Sequence, residues 1–234
     1  MSEAAVSLAF FDRANDIHGT LRQGLTLLFE GGKPQAIDEP LESERSDGRY
    51  TAALGDRLEL RFGPLTDAVD IGGATARLCS VEGTVDGSSI ECLGVATETV
   101  DPPQWAELDC LRNVCALFDP DNAVIAVARR PRGALGHGAE DVIAWLLAGG
   151  ELTRVQDARV STVYDGDGRQ RNAGLELWLP EQDFPRRLSG SAVAGTTLSL
   201  EGLRVNAAVF EWRMEGREGA GAYELTVRDE EAAA

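Results

Sequence analysis

The chain has 234 residues, 22 basic and 39 acidic, giving a net charge of −17, with 43% apolar and 26% charged residues. That balance belongs to a globular chain able to bury a core without disulfides or metal, and it excludes wholesale disorder. The acidity argues against free nucleic acid or an anionic membrane as partner, and no segment reaches the ~20 consecutive apolar residues of a spanning helix.

The N-terminus, MSEAAVSLAFFDRAND, has no basic region followed by a long apolar one, so a cytoplasmic protein without membrane insertion is expected. Residues 5–11 read as a strand. The Asn15-Asp16-Ile17-His18-Gly19 segment that follows reads either as a strand-end loop at a cavity mouth or as a turn held by Asn and Asp side chains. The first option makes His18 a ligand-binding candidate. Strands are expected at 24–30 and 57–63, and the charged stretch 38–50 reads as an exposed loop.

Residues 75–85 and 88–98 alternate in polarity around Asp86-Gly87, a dipeptide suited to the positive φ of a tight hairpin. That register sets Cys79, Val81, Val85, Ile90 and Cys92 on one face, expected in the core. Pro102-Pro103 is the one internal seam. One compact unit over 1–228 is expected, with possible halves 1–102 and 103–228. Residues 104–118 and 122–129 read as a strand pair joined by Asp119-Pro120-Asp121. Residues 138–148 read as a helix, with Glu140 and Asp141 in its first turn, an apolar stripe of Val142, Trp145 and Leu146, and a Gly149-Gly150 stop.

Residues 154–164 and 170–179 form a second hairpin around Asp165-Gly166-Asp167-Gly168, pairing Ala158 with Leu175 and Val160 with Ala173. Strands at 191–200, 205–214 and 220–228 close the chain, and 229–234 is expected to be disordered. The sum is an all-β, antiparallel barrel or sandwich of about twelve strands and one short helix.

The four cysteines form no CxxC pair, and the two histidines lie far apart in sequence, so no metal site is expected. Each cysteine sits among apolar residues and reads as a small core residue. Lys33 is the only lysine. The arginine bias therefore reflects a GC-rich coding sequence and does not mark a phosphate site. G-x-S-x-G, P-loop and strand–GxGxxG–helix patterns are absent, so covalent acyl transfer and nucleotide chemistry find no support.

Four constellations could carry chemistry. Arg112 falls on the apolar face shared by Cys110, Val114 and Ala116. A buried guanidinium needs a carboxylate partner, so Arg112 is either a ligand-cavity arginine or part of a structural ion pair, unless a bulge turns it outward. Trp105 and Asp109, close by in sequence, join it as ligand-binding candidates. Next, Arg129 and Arg132 precede a glycine-flanked His137. On the expected helix, His137, Glu140 and Asp141 share one side, where two acids would raise the histidine pKa and make it a general acid or base. The competing reading is a loop histidine beside acids that complement the helix dipole. Third, Asp157, Arg159, Glu176 and Trp178 share one face of the second hairpin, solvated in a sandwich or lining the lumen of a barrel. His18 is the fourth.

The hairpin with Val81-Glu82-Gly83-Thr84-Val85-Asp86-Gly87, then Trp105 and the Arg112 strand, then the Arg-Pro segment with His137, then Leu175-Glu176-Leu177-Trp178, resembles in order the lipocalin-like proteins related to hydroxyneurosporene synthase, the carotenoid 1,2-hydratases. The resemblance spans about residues 75–180. It implies lipocalin-like β-barrels, hydrophobic isoprenoid or polyketide-like substrates, and hydration, isomerisation or cyclisation by acid–base side chains in an apolar cavity. His137 and Trp105 would be cavity residues.

The expected function is binding of a hydrophobic small molecule, with cofactor-free acid–base chemistry. His137 would be acid or base oriented by Glu140 or Asp141, Arg112 would hold a polar group, and Trp105 would pack on an apolar one. Alternatives are a non-catalytic binder, a subunit partnering another enzyme, or a carbohydrate-active sandwich using Trp105, Trp178 or Trp212 as stacking platforms.

Overall fold

The computed structural model describes residues 4–135 and 139–228, so His137 and the 229–234 tail lie outside it. The chain divides into two compact units, Met1–Pro102 and Pro103–Ala234. All the strand pairs are antiparallel, and no α-helix occurs among the described residues. Among the described residues there is accordingly no helix long and apolar enough to cross a membrane.

The first unit holds β1 (Ala5–Asp12), β2 (Ile17–Arg22), β3 (Leu25–Glu30), β4 (Lys33–Ile37), β5 (Glu42–Ser46), β6 (Arg49–Leu54), β7 (Leu58–Pro64), β8 (Val69–Asp70), β9 (Ala74–Val85) and β10 (Ser88–Thr99). They form one sheet in the order β4-β3-β2-β1-β10-β9-β7-β6-β5, with β8 beside β9. The second unit holds β11 (Leu108–Asp119), β12 (Asn122–Pro131), β13 (Asp141–Ala148), β14 (Glu151–Arg154), β15 (Asp157–Tyr164), β16 (Gln170–Trp178), β17 (Arg186–Leu200), β18 (Leu203–Met214) and β19 (Arg217–Arg228). Their order is β14-β13-β12-β11-β19-β18-β17-β16-β15.

Each sheet curls into a half-barrel around its own core. In the first unit one buried cluster draws on Ile37 near one edge, Leu8 and Phe10 at the centre, and Tyr50 and Ala52 near the other edge. In the second, Ala144, Val114, Tyr223, Leu188 and Ala158 meet in one cluster although they span the sheet. Side chains of strands so far apart converge only if the sheet curls. The Val155 N–H donates to Ala144 O (2.9 Å) and the Gln156 N–H to Trp178 O (2.8 Å), so the link after β14 bonds to strands from both ends of the sheet.

The β9–β10 hairpin forms as expected. Val85 pairs with Ser88, and Asp86 (φ 45°) and Gly87 (φ 83°) take the two positive-φ turn positions. Cys79, Val81, Val85 and Ile90 are core residues and Cys92 packs on them.

Three expectations are corrected. The described residues form 19 strands, not about twelve. Apart from β13, the missed strands are short, six residues or fewer; Glu42–Ser46, inside the expected loop 38–50, is an exposed strand paired to β6 through a turn at Asp47-Gly48. Residues 141–148 form β13 rather than a helix. The β-branched and aromatic Val142, Ile143 and Trp145 suit a strand, and β12 offers a complete partner from Asn122↔Ala148 to Arg129↔Asp141. In that strand Val142, Ala144 and Leu146 pack with the core, while Trp145 points the other way. Finally, the second hairpin pairs Ala158 with Leu177 and Val160 with Leu175. The two-residue slip keeps every side chain on its expected face, and it arises from a longer loop with a register shift before Tyr164↔Gln170.

Candidate functional site

Strand β11 turns Cys110, Arg112, Val114 and Ala116 to one side, and that side is the core of the second unit. Arg112 is 1% exposed. Its guanidinium meets the Glu140 carboxylate, with Nη2 3.1 Å from Oε1, and Nη1 donates to Val160 O at 3.4 Å. The expected inward arginine with an acidic partner is therefore present. Glu140 immediately precedes β13 and shares the inward parity of Val142 and Ala144, so its side chain is only 3% exposed. Asp141, one residue on, faces outward and is exposed, opposite Arg129 in the β12–β13 ladder. Glu140 and Asp141 thus do not share one side, because a strand sends consecutive acids to opposite faces, and His137 lies outside the described residues.

The pair has polar neighbours that sequence reasoning missed. Tyr223, fully buried on β19, shares a 2.6 Å hydrogen bond between its hydroxyl and Thr162 Oγ1, and burial pushes its pKa up. Its inward parity with Leu225 was the available signal. Burial also raises the Cys110 thiol, against the pull of Arg112. The other thiols behave alike, since burial pushes Cys79 up to about 11 and Cys92 and Cys115 up to about 12. All four stay protonated at neutral pH, as small core residues do.

Glu140 lines an open pocket of about 890 Å³ in the second unit. Its apolar lining is Val142, Ala158, Val160, Leu175 and Leu188, and its polar lining includes Asp157, Arg159, Glu176 and Arg187. The structure so brings three of the second-hairpin candidates to the pocket of Glu140. On that hairpin Arg159 faces Glu176 and Asp157 faces Trp178 across the ladder. The Arg159 guanidinium lies 4.9 Å from the Trp178 ring centroid, and Arg187 Nε lies 2.9 Å from Glu176 Oε1.

Other candidates lie elsewhere. Trp105 is half-buried in the turn before β11, because that strand begins at Leu108, not at Gln104. Asp109 sits at a bulge between Leu108 and Cys110, where its carboxylate accepts the Gly133 N–H at 2.9 Å. Arg129 is half-buried and Arg132 is exposed, its N–H donating to Glu107 O. Trp212 is fully buried and stacked on Phe210 at 5.0 Å, so it is no surface platform for sugars.

His18 belongs to the first unit, on β2 rather than in a loop. Its side chain is 4% exposed, with Nε2 3.4 Å from Asp16 Oδ1. Burial holds its pKa below the ordinary 6.5, against the opposing pull of Asp16. The unfolded chain thus binds a proton near its ordinary pKa that the folded chain accepts only at lower pH. Stability is therefore lost as pH falls through that window. His18→Phe is expected to reduce the drop in melting temperature between about pH 7 and about pH 5; thermal denaturation of both chains checks this, and equal drops would acquit His18. The first unit also buries Tyr50, whose hydroxyl donates to Glu98; Arg45 Nη1 lies 2.8 Å from the other oxygen of that carboxylate. Burial, then Glu98, pushes the Tyr50 pKa up to about 12.

No protein-family model and no curated protein matches the chain. Among solved structures, a candidate AttH protein of Nitrosomonas europaea matches with a TM-score of 0.66 at 13% identity, covering 96% of this chain and 92% of that one. CghA matches at 0.62 and 12% identity, covering 97% and 88%. Kievitone hydratase from Nectria haematococca matches at 0.58 and 11% identity, also covering 97% and 88%. These likenesses establish a shared fold, and the resemblance to lipocalin-like proteins read in the sequence holds at that level.

Proposed function

We propose that the protein binds a small, largely apolar molecule of isoprenoid, lipid or polyketide-like character in the pocket of the second unit, and moves a proton on it without a cofactor. One observation carries this reading: a carboxylate, Glu140, buried against Arg112, lines a pocket walled by Val142, Ala158, Val160, Leu175 and Leu188. The volume of about 890 Å³ falls within the range that takes drug-sized ligands. Apolar walls bind the body of the ligand, and the few charges orient its polar end. In a hydration, an acid protonates one carbon of a double bond while a base takes the proton of the incoming water; a positioned carboxyl group fills the first role when protonated and the second when ionised. Arg112 would then act as a positioning residue behind Glu140, and His137 as the second acid–base group. The fold shared with a kievitone hydratase supports this reaction class.

Native mass spectrometry of the protein as purified, followed by extraction of the co-purifying molecule, tests the binding. Ala158→Trp, which fills the pocket, is expected to abolish retention. Incubating the recovered molecule with protein tests the chemistry. Glu140→Gln is expected to keep binding and lower turnover about 10²-fold or more, and His137→Ala to lower it similarly. Retention unaffected by Ala158→Trp overturns the binding site. A molecule recovered unchanged, or turnover indifferent to Glu140→Gln, overturns the catalytic role and leaves a carrier.

A further inference from the structure

The ends of both sheets are guarded against foreign strands. β4, β5, β14 and β15 lie at those ends, and each has eight residues or fewer. Each also carries charge, Lys33, Glu42, Glu151 and Asp157 among the side chains that supply it. Short, charged edges disfavour pairing with another chain.

The free edge of β17 has no such guard. β17 is 15 residues long. Its ladder to β16 ends at Asn172↔Ser191, whereas its ladder to β18 runs on to Leu200↔Leu203. From Ala192 to Leu200 the strand therefore has a neighbour on one side only among the described residues. No other segment among them hydrogen-bonds to its backbone there. In an antiparallel ladder alternate residues turn their N–H and C=O groups away from the partner, so a row of backbone donors and acceptors faces outward. The stretch AVAGTTLSL contains no charge and no proline, in a chain that is 26% charged. Val193, Thr197, Ser199 and Leu200 are exposed.

Symmetry and charge select the occupant. An antiparallel edge is complementary to itself about a two-fold axis. An axis at Thr197 sets Thr197 against its own copy, Thr196 against Leu198, Gly195 against Ser199 and Ala194 against Leu200. No charge meets its like in that register, and a threonine pair suits cross-strand contact. The net charge of −17 makes two copies repel elsewhere on their surfaces; along this strip they can meet without opposing carboxylates. A strand from a basic partner would gain nothing from an edge that holds no acid.

We propose that two copies of the chain pair through the free edge of β17, antiparallel about a two-fold axis at Thr197, so that their second-unit sheets become continuous. No residue of that free edge lines the pocket of Glu140, and the pairing does not depend on the chemistry there.

Sedimentation of the full chain from about 1 to about 300 µM tests this. So small an interface gives a weak dimer, and the average mass is expected to rise toward twice that of the chain. Raising NaCl from about 0.05 to about 0.5 M should tighten association about threefold or more, because salt screens the repulsion between two acidic chains. Two variants localise the contact. Thr197→Lys sets two ammonium groups against each other and is expected to weaken association about fivefold or more. Thr197→Cys is expected to be trapped by mild oxidation as a disulfide-linked dimer, while Val163→Cys, an exposed position on the charged edge strand β15, is not. If Thr197→Lys fails to fold, the cysteine variants still decide. A parent that stays monomeric throughout, association that weakens with salt, a dimer undiminished in Thr197→Lys, or equal cross-linking of the two cysteine variants would overturn the proposal.

Discussion

Replacing Arg112 by Met is expected to lower the unfolding free energy by about 3–5 kcal/mol, measured by urea denaturation. The methionine fills much of the same space, so the loss is not chiefly one of packing. It comes from Glu140, whose carboxylate is 3% exposed and is 3.1 Å from the guanidinium in the parent. Without that partner the carboxylate must remain ionised in an apolar interior or take up a proton, and either state is unfavourable at neutral pH. Val160 O loses a donor as well. The companion test is Glu140→Gln in the Arg112→Met chain. Removing the stranded charge should restore a large part of the stability, giving a coupling energy of at least about 1 kcal/mol in the double-mutant cycle. Additive effects would mean that the two side chains do not depend on each other. The experiment separates structure from chemistry, because stability reports the pair and turnover reports what Glu140 does to a ligand.

Trp212→Ala is expected to cost a similar amount, about 3–5 kcal/mol, and to do so without touching the pocket of Glu140. Trp212 is completely buried in the core of the second unit, stacked on Phe210 with 24° between the rings. Directly across the β17–β18 ladder stands Gly190. A Cβ there would overlap the indole at Cε3 and sit 2.8 Å from Cδ2. The tryptophan ring therefore lies over the glycine and covers backbone that a side chain would otherwise shield. Gly190→Ala should destabilise the parent by about 1–3 kcal/mol through overpacking and be close to neutral once Trp212 is Ala. An Ala at position 190 that is equally harmful in both chains would show that the glycine is needed for its backbone and not for the ring.

Fold class and the polarity of the site were legible because both follow from short-range periodicity. With no bulge beside Arg112, the alternation on β11 sends it inward, and desolvation then demands an acid. Choosing between Glu140 and Asp141 required knowing whether 141–148 is helix or strand. On a helix, consecutive acids lie about 100° apart and both can reach one side; on a strand they oppose each other. A short apolar run of Val, Ile, Trp and Leu serves either structure, and β12 resolved the ambiguity by offering a full ladder. The Tyr50–Glu98–Arg45 cluster escaped notice for the same kind of reason: its members come from β5, β6 and β10, and only the curl of the first sheet brings them together.

By itself, the sequence determined what depends on neighbours within a few residues: the Asp86-Gly87 turn, the core face of β9 and β10, the inward direction of Arg112, and the faces of the second hairpin despite its shifted register. Tertiary structure alone decided the identity of β13, the pairing of Arg112 with Glu140 rather than Asp141, and the gathering of Glu140 with Asp157, Arg159 and Glu176 around one pocket. The physical reason is the range of the forces involved. Turn geometry and side-chain alternation are properties of a single strand, whereas ladder hydrogen bonds and the burial of a charge are settled by whichever distant strand supplies the partner.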